Sequence, residues 1–153
     1  MNRVFIHILY YGYSFFQFLV RPVTVGVRIV LIRSGQVLLI RHSYIKGWYL
    51  PGGGLKRGET LEAAARREAL EEAGANLGQV SLMGIYSKLE RVKSDHNAVF
   101  VCTDFQWEDK HDAEVAEVKF FPLTALPEDL RAGQRRRIEE YTRGQTGLSF
   151  GLW

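Results

Sequence analysis

The stretch "GGGLKRGETLEAAARREALEEAGA", residues 52 to 75, sets three glycines before an isolated glutamate, an Arg-Glu pair and a Glu-Glu pair. Thr60 suits an N-cap, Glu62 suits a first helical turn, and Gly74 suits the left-handed residue that ends a helix. The spacing therefore predicts a helix over 61–73. Counted from Leu61, Glu68 falls at about 340° and Glu72 at about 20°, one turn apart on one face, with Glu71 beside them at about 280°. Leu61, Ala64 and Ala65 lie earlier on the same stripe, where small side chains let the helix pack close to a sheet. Like charges at this spacing repel, so something positive is expected between them. Carboxylate oxygens suit Mg²⁺ or Mn²⁺, hard ions that commonly bridge protein carboxylates to substrate phosphates. The "PGGG" turn lets backbone approach a ligand closely. The competing reading is a solvated surface helix rich in Ala, Glu and Arg.

Upstream, "VTVGVRIVLIR" alternates so that Val23, Val25, Val27, Ile29 and Leu31 share one strand face. "SGQ" turns into "VLLIRH", predicting a hairpin over 23–42, and "SYIKGWYLPGGG" then reads as loop. Downstream, "QVSLMGIYSKL" and "NAVFVCTDF" read as strands joined by "ERVKSDH", "EVKFFPL" as a further strand, and "LPEDLRAGQRRRIEEYTRG" as a charged closing helix. The order implies an α/β fold built on a mixed sheet.

Residues 4–20, "VFIHILYYGYSFFQFLV", read as a nearly all-apolar helix with His7, Tyr10, Ser14 and Gln17 on one narrow stripe. Such a helix needs covering, by its own domain, by a second subunit in a homodimer, or by a membrane. Two units follow: an apolar N-terminal helix over 1–22 and a catalytic-sized domain over 23–153. No small-residue cleavage site follows the apolar run, so a removable signal peptide is not expected.

The 153 residues match one domain with one core, and 46% hydrophobic with 24% charged residues excludes extended disorder. The formal charge of +3 would not repel a polyanion. Cys102 is the only cysteine, which excludes an intramolecular disulfide and a cysteine-based zinc cluster and fits a reducing, cytoplasmic compartment.

The full spacing displaces the surface-helix reading. Gly53, Glu59, Arg67, Glu68, Glu71, Glu72 and Gly74 fall on the fixed letters of G(x5)E(x7)REUxEExGU, with Ala69 and Ala75 at the aliphatic positions. Chance agreement is roughly one in a million over the chain. The sequence thus resembles a Nudix hydrolase, and "GWYLPGG" and "EVAEVKFFPLTALP" extend the resemblance on either side. It implies an α/β/α sandwich around a mixed sheet and hydrolysis of a nucleoside diphosphate linked to another moiety, with water attacking phosphorus.

By that resemblance the metal, Mg²⁺ with Mn²⁺ as alternative, falls to Glu68, Glu71 and Glu72, with the Gly52 carbonyl and Glu59 as further donors. Arg67 is expected to brace the glutamates and the loop. The general base is open among Glu68, Glu71 and Glu114, with Glu117 competing with Glu114. Arg41, Lys46, Arg91 and Gly53 are candidates for phosphate contact, Trp48 and Tyr86 for base stacking, while His42 and His96 carry no assignment. The substrate is a nucleotide-derived small molecule ahead of RNA. "KLERVK" lacks the proline that marks the common ADP-ribose type beyond the box. The alternatives are a catalytically silent nucleotide-binding module and a pyrophosphohydrolase held at a membrane through residues 4–20.

Overall fold

The computed structural model describes residues 23–90, 93–145 and 147–153. The expected apolar helix, the N-terminal unit over 1–22 and Arg91 lie outside these residues. In chain order the strands are β1 (Val23–Arg33), β2 (Gln36–His42), β3 (Ala75–Leu77), β4 (Ser81–Leu89), β5 (Ser94–Cys102), β6 (Phe105–Trp107), β7 (Val115–Pro122) and β8 (Ser149–Leu152). Helix α1 (Leu61–Ala73) precedes β3, and α2 (Ala132–Thr142) lies between β7 and β8. Six strands form a mixed sheet in the order β7-β2-β1-β5-β4-β8, and β3 pairs with β6.

Both faces of the sheet are covered, which is the α/β/α sandwich. Val27, Ile29, Leu31, Leu38 and Ile40 pack under Ala64, Ala65, Ala69 and Ala73 of α1. Val30, Ile32, Val37, Leu39 and Val99 pack on the other face with Leu50, Leu130 and Ile138, the last from α2. The central strands are consequently apolar on both sides, as strands between two layers are. This limits the alternation read from sequence: Val27, Ile29 and Leu31 are fully buried, while Val23 and Val25 remain exposed.

The hairpin forms, but β1 and β2 are in register only at Ile32↔Val37 and Arg33↔Gln36. They then diverge, and the glycine loop fills the gap. Val27 N–H donates to the Gly53 carbonyl at 2.9 Å and Ile29 N–H to Pro51 at 3.0 Å. On the other side Ile40 and Tyr49 exchange backbone hydrogen bonds of 2.9 Å. A segment expected to be a free loop is therefore pinned between two strands, since buried backbone groups need partners.

Helix α1 has the expected bounds. Thr60 Oγ1 accepts from Ala63 N–H at 3.1 Å, and Gly74 adopts φ 62°, ψ 24°. Trp107 Nε1 donates to the Ala73 carbonyl at 2.8 Å, closing the C-terminal end. Ser94 to His96, expected in a connection, belong to β5 and pair in parallel with Val23 to Val25. Cys102 is buried, its thiol directed at the Gln79 and Asp104 carbonyls.

Candidate active site

The geometry begins with two carboxylates on the covered face of α1. Glu68 and Glu72 are 9% and 7% exposed, whereas Glu71 points outward. The alanines earlier on the stripe bring the helix so close to the sheet that both glutamates meet the pinned loop. Gly52 N–H donates to Glu72 Oε2 at 2.8 Å. At Gly53 an added Cβ would stand 2.4 Å from Glu68 Oε1, so only glycine leaves that oxygen its place. Gly52 has φ 146°, and a Cβ there would stand 2.1 Å from the Val27 carbonyl oxygen.

Arg67 ties these parts together. Its Nε and Nη2 reach the two Glu59 oxygens at 2.7 and 2.9 Å, its Nη1 reaches Glu68 at 2.6 Å and Glu71 at 3.2 Å, and Nη2 also donates to the Gly54 carbonyl at 3.2 Å. Such fork contacts fix geometry as well as charge. Hydrogen bonds from Arg67, then from Lys56 N–H, hold the Glu59 carboxyl down to about 2, and Glu59 in turn raises the Arg67 pKa. With both oxygens engaged, Glu59 sits as a brace of the loop.

Glu72 is the strained member. Burial pushes its carboxyl up to about 7, the Gly52 N–H opposes this, and the Glu68 charge adds to it. His42 Nε2 stands 4.0 Å from Glu72 Oε1. A bulge between Arg41 and His42 in the β2–β7 pairing marks this end of the strand, and bulges commonly re-aim side chains near sites. Burial, then the Arg28 charge, lowers the His42 pKa, while Glu114 and Asp112 pull the other way. The segment bearing those two acids is anchored beside the helix: Asp112 N–H donates to the Glu71 carbonyl at 2.9 Å and Ser43 N–H to the Glu114 carbonyl at 2.9 Å.

Beyond the glycine loop opens a cavity of about 730 Å³, large enough for a nucleotide-sized ligand. Gly53 and Gly54 form one side, Arg28, Asp95 and Asn97 line it from β1 and β5, and the start of α2 with Trp153 forms the far side. Arg28 is a missed functional candidate. Burial lowers its pKa, and Glu72, Glu68 and Asp95 raise it, so it is the cation facing the carboxylate pair from the sheet. Its signal was visible, because it interrupts the apolar run of β1. Asn97, Gln134 and Trp153 carried no comparable signal, since only the folded sheet and α2 bring them to one cavity.

Other candidates stand elsewhere. Arg41 is paired with Glu117 on the surface and does not line the cavity. Trp48 is packed in the core, edge-on to Phe121 with ring centroids 4.7 Å apart, and Tyr49 from the same segment lines the cavity instead. Lys46 contributes its backbone carbonyl, which accepts from Tyr49 and Arg131. Tyr86 is buried with its hydroxyl bonded to Glu140, and His96 shares a hydrogen bond with Ser87.

The NUDIX domain model matches residues 21–141, which contain the glutamates, the glycine loop and the described cavity lining apart from Trp153. The chain belongs to the Nudix family. It is 34% identical over 128 residues to the ADP-ribose pyrophosphatase of Methanocaldococcus jannaschii, covering 80% of this chain and 75% of that one. It is 29% identical over 130 residues to the RNA pyrophosphohydrolase of Serratia proteamaculans, covering 85% and 70%. The crystal structure of the MutT NUDIX hydrolase from Burkholderia pseudomallei superposes with a TM-score of 0.70 at 26% identity, covering 77% of this chain and 97% of that one. These names place the chain among Nudix hydrolases that split pyrophosphate linkages, on substrates that differ from one relative to the next.

Nudix hydrolases generally use divalent cations. Among the described residues, no three Asp, Glu, His or Cys side chains converge as a preformed cage. The donor set nevertheless fits a hard cation. Two buried carboxylates share one face beneath a glycine loop, and the charge on Glu72 is disfavoured without a counter-ion. Magnesium characteristically takes one or two carboxylates and completes its shell with water and substrate phosphate. Among the described residues, no helix is long and apolar enough to cross a membrane.

Proposed function

We propose that this Nudix hydrolase cleaves the pyrophosphate linkage of a nucleoside diphosphate joined to another moiety, with Mg²⁺ held by Glu68 and Glu72. The supporting observation is the buried carboxylate pair set against Gly52 and Gly53, the latter lining a cavity of about 730 Å³. A bound divalent cation would neutralise the pyrophosphate and lower the pKa of a water molecule that attacks phosphorus.

The chain's own residues prepare that step. Glu68 and Glu72 present oxygens on one face, the Gly52 carbonyl is an additional donor from the pinned loop, and Glu71 adds charge at the rim. Arg67 keeps Glu68, Glu71 and Glu59 in fixed relation to the loop through the contacts above. Arg28 is placed on the sheet side to meet a phosphate oxygen, offsetting negative charge that the glutamates alone would concentrate. The general base is taken to be one of Glu68, Glu71 and Glu114.

The test is a hydrolysis panel with Mg²⁺ over nucleoside triphosphates, nucleotide sugars, ADP-ribose, dinucleoside polyphosphates and 5′-triphosphate RNA. One substrate is expected to lead, with turnover lost in Glu72→Gln. On that substrate, Gln variants at 68, 71 and 114 identify the base as the position whose loss lowers kcat by about 10²- to 10⁴-fold. No turnover on any member of the panel would contradict the proposal.

A further inference from the structure

The cavity holds two nearly buried carboxamides that the hydrolytic step does not use. Asn97, on β5, is 9% exposed and Gln134, in the first turn of α2, is 4% exposed, and both line the cavity. The Asn97 carboxamide has no hydrogen-bond partner among the described residues, and its Oδ1 lies 3.3 Å from where a Cβ on Gly26 would be. Gly26 pairs with Asn97 across the parallel β1–β5 ladder and, lacking a side chain, leaves the carboxamide open to the cavity. Gln134 Oε1 accepts from Leu50 N–H, which fixes the orientation of its amide and leaves the Nε2 donor without a partner among the described residues. Both residues line the cavity, so their uncommitted amide groups are available to a ligand there, and a planar amide offers a donor and an acceptor side by side.

The third component is an aromatic wall. Trp153 follows β8, its N–H donates to the Ser87 carbonyl at 3.0 Å, and its carbonyl accepts from Arg136. Its indole lies against Gly133, where a Cβ would stand 2.4 Å from Nε1, and meets Tyr86 edge-on at 6.4 Å. The ring is thus held in place between β4 and α2 while it lines the cavity.

We infer that Trp153, Asn97 and Gln134 form a nucleobase subsite, in which the base lies against the indole and its hydrogen-bonding edge is read by the two carboxamides. The inference rests on the proposed nucleotide substrate for its chemistry, yet it makes a claim about binding alone. A planar ring with adjacent donors and acceptors uses both the aromatic face and the neutral amides, whereas phosphate would be served by the cations nearer the glycine loop.

The test is calorimetric titration of the full chain in EDTA with AMP, GMP, CMP, UMP and ribose 5-phosphate, none of which has a pyrophosphate to cleave. One base is expected to bind at least tenfold more tightly than ribose 5-phosphate and than the least favoured base. Asn97→Asp replaces an amide donor with an acceptor, and Gln134→Glu does the same while retaining an oxygen for Leu50 N–H. Each is expected to reorder the base preference, which general damage to the fold would not do. Trp153→Phe should retain most of the binding that Trp153→Ala loses. Equal binding of all five ligands, no binding of any, or a uniform loss with unchanged ranking in the variants would overturn the subsite. Base-selective binding in EDTA combined with no turnover in the Mg²⁺ panel would leave the subsite standing and overturn only the hydrolytic proposal.

Discussion

Glu72 concentrates the chemistry of the site in one side chain. Its carboxyl is pushed up to about 7 chiefly by burial, against an ordinary 4.5. Without metal, the folded state binds this proton more tightly than the unfolded chain does, so stability falls as pH rises from about 4.5 to about 7 and then levels off. A shift of that size corresponds to about 3 kcal/mol. Denaturant midpoints in EDTA across this range should show the decline in the wild-type chain relative to Glu72→Gln, and saturating Mg²⁺ should reverse it at pH 7.5. Parallel profiles for the two chains would mean that Glu72 is not held as described. At the same scale the sequence was most informative: Thr60, Gly74, Glu68, Glu72 and Arg67 stand where spacing and capping chemistry place them, because helix geometry is local. Arg41 and Trp48 were less legible. A side chain on a short strand or a loop takes its direction from long-range partners, here Glu117 and Phe121.

The decisive pairing of elements is α1 with the glycine loop. The loop is held by backbone bonds to both diverging strands, and the helix is held by its alanines, so neither yields readily at their contact. Gly53→Ala places a methyl where Glu68 Oε1 now sits. The nearest atoms are the end of a side chain rather than backbone, so the fold should tolerate the change while Glu68 swings away. The expected result is a melting temperature within a few degrees of wild type, with at least tenfold weaker Mg²⁺ activation in initial-rate titrations. Unchanged activation would show that Glu68 does not need its present position. The splaying of β1 from β2 could not be read from sequence, because the turn announces a hairpin and nothing local announces where it opens. The short strands β3, β6 and β8 were also missed, since three or four residues give no usable periodicity.

At the scale of the molecule, the sandwich divides the work between its layers. The α1 face supplies carboxylates, the sheet supplies Arg28 and Asn97, and the α2 face supplies Gln134, with Trp153 beside it. The sheet order that joins them depends on a parallel β1–β5 pairing between segments about seventy residues apart, a relation that periodicity alone does not encode. The resemblance to Nudix hydrolases supplied the fold and the box, which are common to the family. The cavity wall belongs to this chain, and it became visible only when the strands were placed. The measurement that bears most directly on the account is the initial rate of pyrophosphate hydrolysis as a function of Mg²⁺ concentration, for wild type and Glu72→Gln, on the best substrate of the panel. Saturable activation in the wild type and at least a hundredfold lower rate in the variant are predicted; equal rates, or turnover that persists undiminished in EDTA, would contradict it.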